Sequence, residues 1–262
     1  MDLLIAELSI LNCDAIEETD EGILASFEAN HWPEKDIKFL LAKYAHPISS
    51  YSIEEVEREN WNEAWEKNFD PVEVGDTCII RAPFHSVAKD FDHEIIIMPQ
   101  MSFGTGHHAT TYQMVSLLLD LELKGKHVID LGAGTGVLAI LSRKLGASFV
   151  VATDVDDWCV ENTLENAILN DVKIDDVQKG PISELSFDRK FDVVIANINK
   201  NVLIAEFAFY HDALAQGGKL LLSGFYESDI EDLKNLAGKF SLTLEKKTVR
   251  DQWAALQFNR ES

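Results

Sequence analysis

Val128-Ile129-Asp130-Leu131-Gly132-Ala133-Gly134-Thr135-Gly136 is an apolar run broken by an acid and then by three glycines at alternate positions. It reads as a buried strand running into a tight turn, with a helix starting at once through Val137-Leu138-Ala139-Ile140-Leu141. Glycine suits such a turn because positive φ, or a backbone lying close to another group, penalises any residue with a Cβ. The free N–H groups of the helix start can face a polar ligand. A Gly-rich strand-to-helix turn alone serves dinucleotides, nucleotides and S-adenosylmethionine equally.

Outward from this turn the pattern alternates. Strands are expected at His127–Leu131, Phe149–Thr153, Phe191–Ala196 and Lys219–Ser223, with helices at Val137–Leu145, Trp158–Leu169, Val202–Ala215 and Asp229–Ala237. That is the signature of a mostly parallel sheet covered on both faces, with right-handed crossovers. Leu242–Val249 and Ala254–Phe258 lie close together around Arg250-Asp251, so a terminal hairpin adds one antiparallel strand.

Upstream, Leu3–Ile10 and Ile23–Glu28 have strand-like composition, Ile48–Ile53 alternates, and Pro33–Tyr44 spaces Ile37, Leu40, Leu41 and Tyr44 as a helix does. Residues 1–52 therefore read as a small α+β unit without a chemical site, either a recognition module or a cover for the larger domain. The Glu-rich stretch 53–69, with Trp61 and Trp65 one turn apart and Asp70-Pro71 behind it, reads as a linker helix. Residues 70–262 form the larger domain. It opens with strands over Val72–Arg81 and Glu94–Met98, and a helix over Tyr112–Leu121 follows.

The chain has 262 residues, 46% of them hydrophobic, and 45 acidic against 23 basic residues give a formal charge of −22. Such a field disfavours direct nucleic-acid binding and favours a basic partner, or serves only solubility. Cys13, Cys78 and Cys159 are scattered, which argues against a disulfide framework or a thiolate zinc site and fits a reducing, cytoplasmic setting. No uncharged run approaches the ~18 residues of a membrane span, so no membrane association is expected.

In doubly wound sheets ligands lie at the carboxyl ends of the strands where strand order reverses. Four stretches converge there: the loop Phe103–Thr111, the glycine turn, Asp154 and Asn197. Asp154 follows Gly132 by 22 residues, the distance at which an acid reaches the two hydroxyls of a ribose. A carboxylate accepts both hydrogen bonds of a cis-diol; helix capping is the plainer alternative. The dinucleotide fingerprint wants a small residue where Val137 stands, and Gly136 gives G-x-G-x-G instead. That spacing favours S-adenosylmethionine over NAD. Asp130 is then positioned to accept from the ligand's amino group, or is a buried carboxylate bonded to the turn. Asn197 offers a donor and an acceptor to the methionine portion or the nucleophile, or else caps the helix after it. His107 and His108 have no ligand-spaced partners, so no metal site is expected, and Thr110 or Thr111 is the expected helix cap.

The loop Phe103-Gly104-Thr105-Gly106-His107-His108-Ala109-Thr110-Thr111, the turn Val128–Gly136, Asp154, Val193–Ile198 and Asn60-Trp61-Asn62-Glu63-Ala64-Trp65 together resemble the PrmA family, which methylates large-subunit ribosomal protein L-eleven. The resemblance implies an N-terminal ferredoxin-like recognition domain, a helical linker and a class I, Rossmann-like methyltransferase domain acting on amines of that basic ribosomal protein. It carries S-adenosylmethionine contacts onto Thr110, Gly132, Asp154 and Asn197, with Gly134 in the same turn, and puts Phe103 and Thr105 in a cofactor-covering loop. The family's usual Thr-His-Pro-Thr-Thr stands here as His107-His108-Ala109-Thr110-Thr111. The reaction read from this is displacement at the sulfonium methyl by a neutral amine; the sequence shows no obvious dedicated base, and a monomer is expected. The alternatives are a class I enzyme acting on RNA or a small molecule, and a non-catalytic sensor of a nucleotide-like ligand.

Overall fold

In the computed structural model, described residues are 2–261 except 12, 14, 20–21, 28–31, 45–47, 49, 54–69, 87–88 and 99–102. The chain divides into two compact units, Met1–Trp61 and Asn62–Ser262. The division falls inside the expected linker, whose helix and tryptophan pair lie outside the described residues.

In the first unit, helix α1 (Asp2–Ile10) precedes a hairpin of β1 (Ala15–Thr19) and β2 (Gly22–Ser26), followed by helix α2 (Glu34–Lys43). The strand expected over Leu3–Ile10 is thus a helix. Leu4, Leu8 and Leu11, spaced by four and three, pack with Ile37 and Leu40, and Leu, Ala and Glu are good helix formers. No strand forms among the described residues of 48–53. The unit's described elements therefore run helix–strand–strand–helix.

The second unit opens with a three-stranded sheet of β3 (Val72–Val74), β4 (Cys78–Arg81) and β5 (His93–Ile96), where β3 and β4 pair antiparallel and β4 and β5 parallel. Helix α3 (Ala109–Leu119) leads into the main sheet: β6 (His127–Leu131), α4 (Val137–Lys144), β7 (Phe149–Asp154), α5 (Asp157–Leu169), β8 (Asp176–Lys179), β9 (Phe191–Asn197), α6 (Lys200–Ala213), β10 (Leu214–Tyr226), α7 (Ile230–Lys239), β11 (Leu242–Arg250) and β12 (Trp253–Arg260). Strand order is β11-β12-β10-β9-β6-β7-β8. β12 pairs antiparallel with both neighbours and all other pairs are parallel, giving the expected parallel sheet with one antiparallel strand. β8 is absent from the sequence reading because Asp-Val-Gln-Lys at a sheet edge carries no apolar run.

Side chains alternate across the sheet as strand geometry requires. Val128, Val150 and Val193 join Met114, Leu118, Ile140 and Leu141 on the face covered by α3 and α4. Ile129, Val151 and Val194 join Phe207, Tyr210 and Leu233 on the face covered by α6 and α7. From β6 the chain runs outward to β7 and β8, then returns to place β9 on the other side of β6. This reversal opens a cleft beyond the carboxyl ends of β6, β7 and β9.

Candidate active site

Gly132, Gly134 and Gly136 have φ of 69°, 58° and 77°, the left-handed region that glycine tolerates. A Cβ at Gly132 would run into Cγ2 of Ile198, and one at Gly134 into the carbonyl oxygen of Phe103. The glycines thus let two loops of the chain itself close on the turn. The N–H groups of Gly132 and Ala133 both donate to the Thr153 carbonyl, at 2.8 and 2.9 Å, tying the turn to the end of β7.

Two acids flank this turn differently. Asp130 shares the face of Val128, so its side chain lies under α4 and accepts from the N–H of Ala139 at 3.0 Å. It supplies the cap that Gly136, the N-cap residue, lacks a side chain to provide. At 1% exposure, burial pushes its carboxyl up to about 7, and its Oδ1 has no hydrogen-bond partner. Asp154 ends β7 at the cleft. Its Oδ2 accepts from the Gly134 N–H at 2.9 Å and its Oδ1 from the Asp156 N–H at 3.2 Å. Each oxygen keeps a lone pair for a ligand hydroxyl. Asp154, Asp156 and Cys159 bring ligand-type atoms within 4.8 Å of one another, and neither His107 nor His108 belongs to such a group among the described residues.

Asn197 ends β9 opposite Ser223 of β10. The capping alternative for it belongs instead to Asn199, whose Oδ1 accepts from the Val202 N–H at 3.2 Å. The Asn197 Oδ1 is buried without a partner. A buried amide oxygen left unbonded costs free energy unless a ligand meets it.

The loop from Phe103 is fastened to the glycine turn. Thr135 donates from its N–H to the Phe103 carbonyl at 2.9 Å and from its hydroxyl to the Gly104 carbonyl at 2.8 Å. Nε2 of His107 lies 2.8 Å from the Asp70 carbonyl and its Nδ1 3.1 Å from the Thr105 hydroxyl. A carbonyl only accepts, so Nε2 carries the proton and Nδ1 accepts from Thr105. The cap of α3 is neither Thr110 nor Thr111 but His108, whose Nδ1 accepts from the Thr110 N–H at 3.3 Å and lies 2.9 Å from its hydroxyl. An imidazole nitrogen reaches the first turn as a hydroxyl would, and this leaves the Thr110 side chain on the cleft. Burial lowers the His108 pKa, favouring the neutral ring, and capping through Nδ1 puts its one proton on Nε2. The lone pair on Nδ1 is thereby taken up by the cap.

The cleft is a cavity of about 510 Å³. Of the residues singled out by sequence, Phe103, Thr110, Gly132, Gly134, Asp154 and Asn197 line it together. Asp130 lies beneath its floor and Thr105 faces His107, so neither lines it. Trp158 and Trp253 line it as well and went unnoticed in the sequence. Trp253 packs edge-on to His108 at 4.6 Å and lies against Tyr226 at 4.3 Å, while Phe103 meets His108 at 5.1 Å. Only its place at the start of the terminal strand brings Trp253 to this edge of the sheet.

Comparison with known proteins agrees with this geometry. A protein of Porphyromonas gingivalis called ribosomal protein L11 methyltransferase is 47% identical over all of this chain and 91% of its own. One of the same name from Chlorobaculum tepidum is 35% identical over 96% of this chain and 90% of its own. The crystal structure of ribosomal protein L11 methylase from Lactobacillus delbrueckii subsp. bulgaricus superposes with a TM-score of 0.68 and 25% identity, covering 74% of this chain and all of that one. Magnesium protoporphyrin IX methyltransferase from Synechocystis, solved with bound SAM, shares the fold at a TM-score of 0.51 and 21% identity over 63% of this chain and 86% of its own. The family described as Ribosomal protein L11 methyltransferase (PrmA) matches residues 9–261, and this chain, with its glycine turn, Asp154 and Asn197 gathered at one cleft, belongs to it.

Proposed function

We infer that the cleft binds S-adenosylmethionine and that the chain methylates amines of ribosomal protein L11, at lysine ε-amines, the α-amine or both. The observation that carries this reading is the succession along one sheet edge of Asp154 on β7, the glycine turn on β6 and Asn197 on β9. The residues fit the cofactor. The cavity volume falls in the range of about 300–1,000 Å³ usual for small-molecule sites, Asp154 keeps a lone pair on each oxygen, and the Asn197 amide oxygen has no partner within the protein.

S-Adenosylmethionine, when bound, supplies a methyl group already activated on a sulfonium. The protein's share is therefore orientation. Asp154 would hold the ribose hydroxyls, Gly132 and Gly134 let the ligand lie against backbone, and Phe103 and Thr110 bound the cleft from the loop side. Asn197 would hold the methionine portion or the acceptor amine. Past β9 the sheet edge continues to β10 and β12, which bring Tyr226 and Trp253, and the amine approaches along this aromatic side. His108 bears its proton on Nε2 and so takes none from the incoming ammonium, which loses it to solvent.

Residues 1–52 serve as the recognition module, and the charge of −22 suits a basic protein partner and opposes an RNA substrate. Incubation with donor labelled in the methyl group, purified L11 and ribosomal RNA tests the reading. Label is expected on L11 amines; label on RNA, or none on L11, overturns it.

A further inference from the structure

Strand β5 pairs with β4 along one edge. Its other edge is met by two side chains, one within α5 and one at the residue that caps its C-terminus. Asn170 accepts from the Ile96 N–H at 2.9 Å and donates to the Ile96 carbonyl at 2.6 Å, and Asn166 accepts from the Met98 N–H at 2.8 Å. The match is metric: four helical residues rise about 6 Å, and two extended residues span about 6.6 Å. The asparagines stand in for a missing strand. Both are buried; Asn166 sits within the helix, where asparagine is a poor former, so its bonds and not its propensity explain it, and Asn170 is the residue that caps the helix C-terminus.

Asn166 does one thing that Asn170 does not. Its Nδ2 donates to the Thr135 carbonyl at 2.9 Å, and Thr163, three residues earlier, donates to the Gly134 carbonyl at 3.1 Å. Thr135 is the residue that fastens Phe103 and Gly104 to the glycine turn. A single amide therefore joins Met98 to the node that holds Phe103 and Gly104.

We propose that Asn166 is a positioning residue for methyl transfer, setting Phe103 over the cofactor site through Thr135, whereas the Asn170 side chain bonds Ile96 of β5 and the Asn166 carbonyl and makes no bond to the glycine turn. The proposal rests on the methyltransferase reading. The test compares the full-length chain with Asn166→Ala, Asn166→Asp and Asn170→Ala, measuring Tm, the calorimetric Kd for S-adenosylmethionine, and kcat and KM on L11. Both Asn166 variants are expected to raise the cofactor Kd about tenfold, since each leaves the Thr135 carbonyl without its donor. Asn170→Ala should lower Tm comparably while its Kd stays within about twofold of the wild type. Thr135→Val should reproduce the Asn166 loss and add little to it in the double variant, as coupled residues do, and Thr135→Ser should restore binding. Equal Kd changes for Asn166 and Asn170, or additive losses for Asn166 and Thr135, overturn the positioning role. Should the Asn166 variants not fold, the Thr135 pair decides: Thr135→Val with unchanged Kd overturns it. A wild-type chain that binds no S-adenosylmethionine removes the underlying reading instead.

Discussion

Asp154 and Asn197 stand at the carboxyl ends of β7 and β9, on either side of the central strand β6, and their polar atoms are provided for differently. Both Asp154 oxygens receive backbone N–H groups, so the carboxylate is oriented before any ligand arrives. The Asn197 amide oxygen is buried without a hydrogen-bond partner, although the amide oxygen of Asn199 two residues on is used as a cap. Preorganised acceptors suit ground-state binding, because the ligand finds them already aimed. An unsatisfied group beside the reacting centre suits an interaction completed only when both reactants are in place. On the proposed function, the β7 side of the cleft would be the binding end and the β9 side the reacting end.

The sharpest way to break this contrast is Asn197→Ala. Removing an aligned polar group at the reacting end should lower kcat by about 10²–10³-fold with a much smaller change in cofactor Kd, read by steady-state kinetics and calorimetry. Asp154→Ala should do the reverse. Loss of hydrogen bonds to a charged acceptor is worth roughly 1.5–3 kcal/mol, so the Kd for S-adenosylmethionine should rise by about tenfold to a hundredfold while saturation recovers most of kcat.

The wall of the cleft is sensitive to pH through His108. Its folded-state pKa lies below the ordinary 6.5, so the neutral, capping ring contributes stability above that value. The contribution is lost as pH falls through the folded pKa, where a proton on Nδ1 ends the cap. Tm of the wild type should therefore drop below pH 6.5 more steeply than that of His108→Ala, which should itself be destabilised by about 1 kcal/mol at neutral pH. The smallest effect expected is electrostatic. Stopped-flow on-rates for L11 should decrease as ionic strength rises, since complementary charge acts on encounter; a flat dependence would detach the acidic surface from substrate capture.

The central strands were legible because Val128–Leu131, apolar but for Asp130, and the apolar runs Val150–Ala152 and Val193–Ala196 are buried on both faces, a pattern that needs no knowledge of partners. The cleft residues Gly132, Gly134, Asp154 and Asn197 followed from the rule that such strands deliver ligand groups at their carboxyl ends. Asp130 was legible as an important acid with two readings, a ligand contact or a buried carboxylate bonded to backbone; strand parity and the start of α4 together decide for the second, with the bond made to the Ala139 N–H. The α1 segment misled because Leu and Ile in a short run suit either structure, and the spacing of Leu4, Leu8 and Leu11 decides only against α2. Trp253 in the cleft and the Asn166–Met98 bond were hidden because their partners are fixed by chain crossing, not by neighbours in sequence; the His108 cap is local, bonding Thr110 two residues on, and was hidden because histidine is not among the usual capping residues.

The division of the cleft into a binding end and a reacting end is tested most directly by single-turnover methylation of L11 at saturating S-adenosylmethionine, with Asp154→Ala and Asn197→Ala side by side. The account predicts a rate near wild type for Asp154→Ala and a loss of about 10²-fold or more for Asn197→Ala. A slow Asp154→Ala beside a fast Asn197→Ala, or equal losses in both, would contradict it.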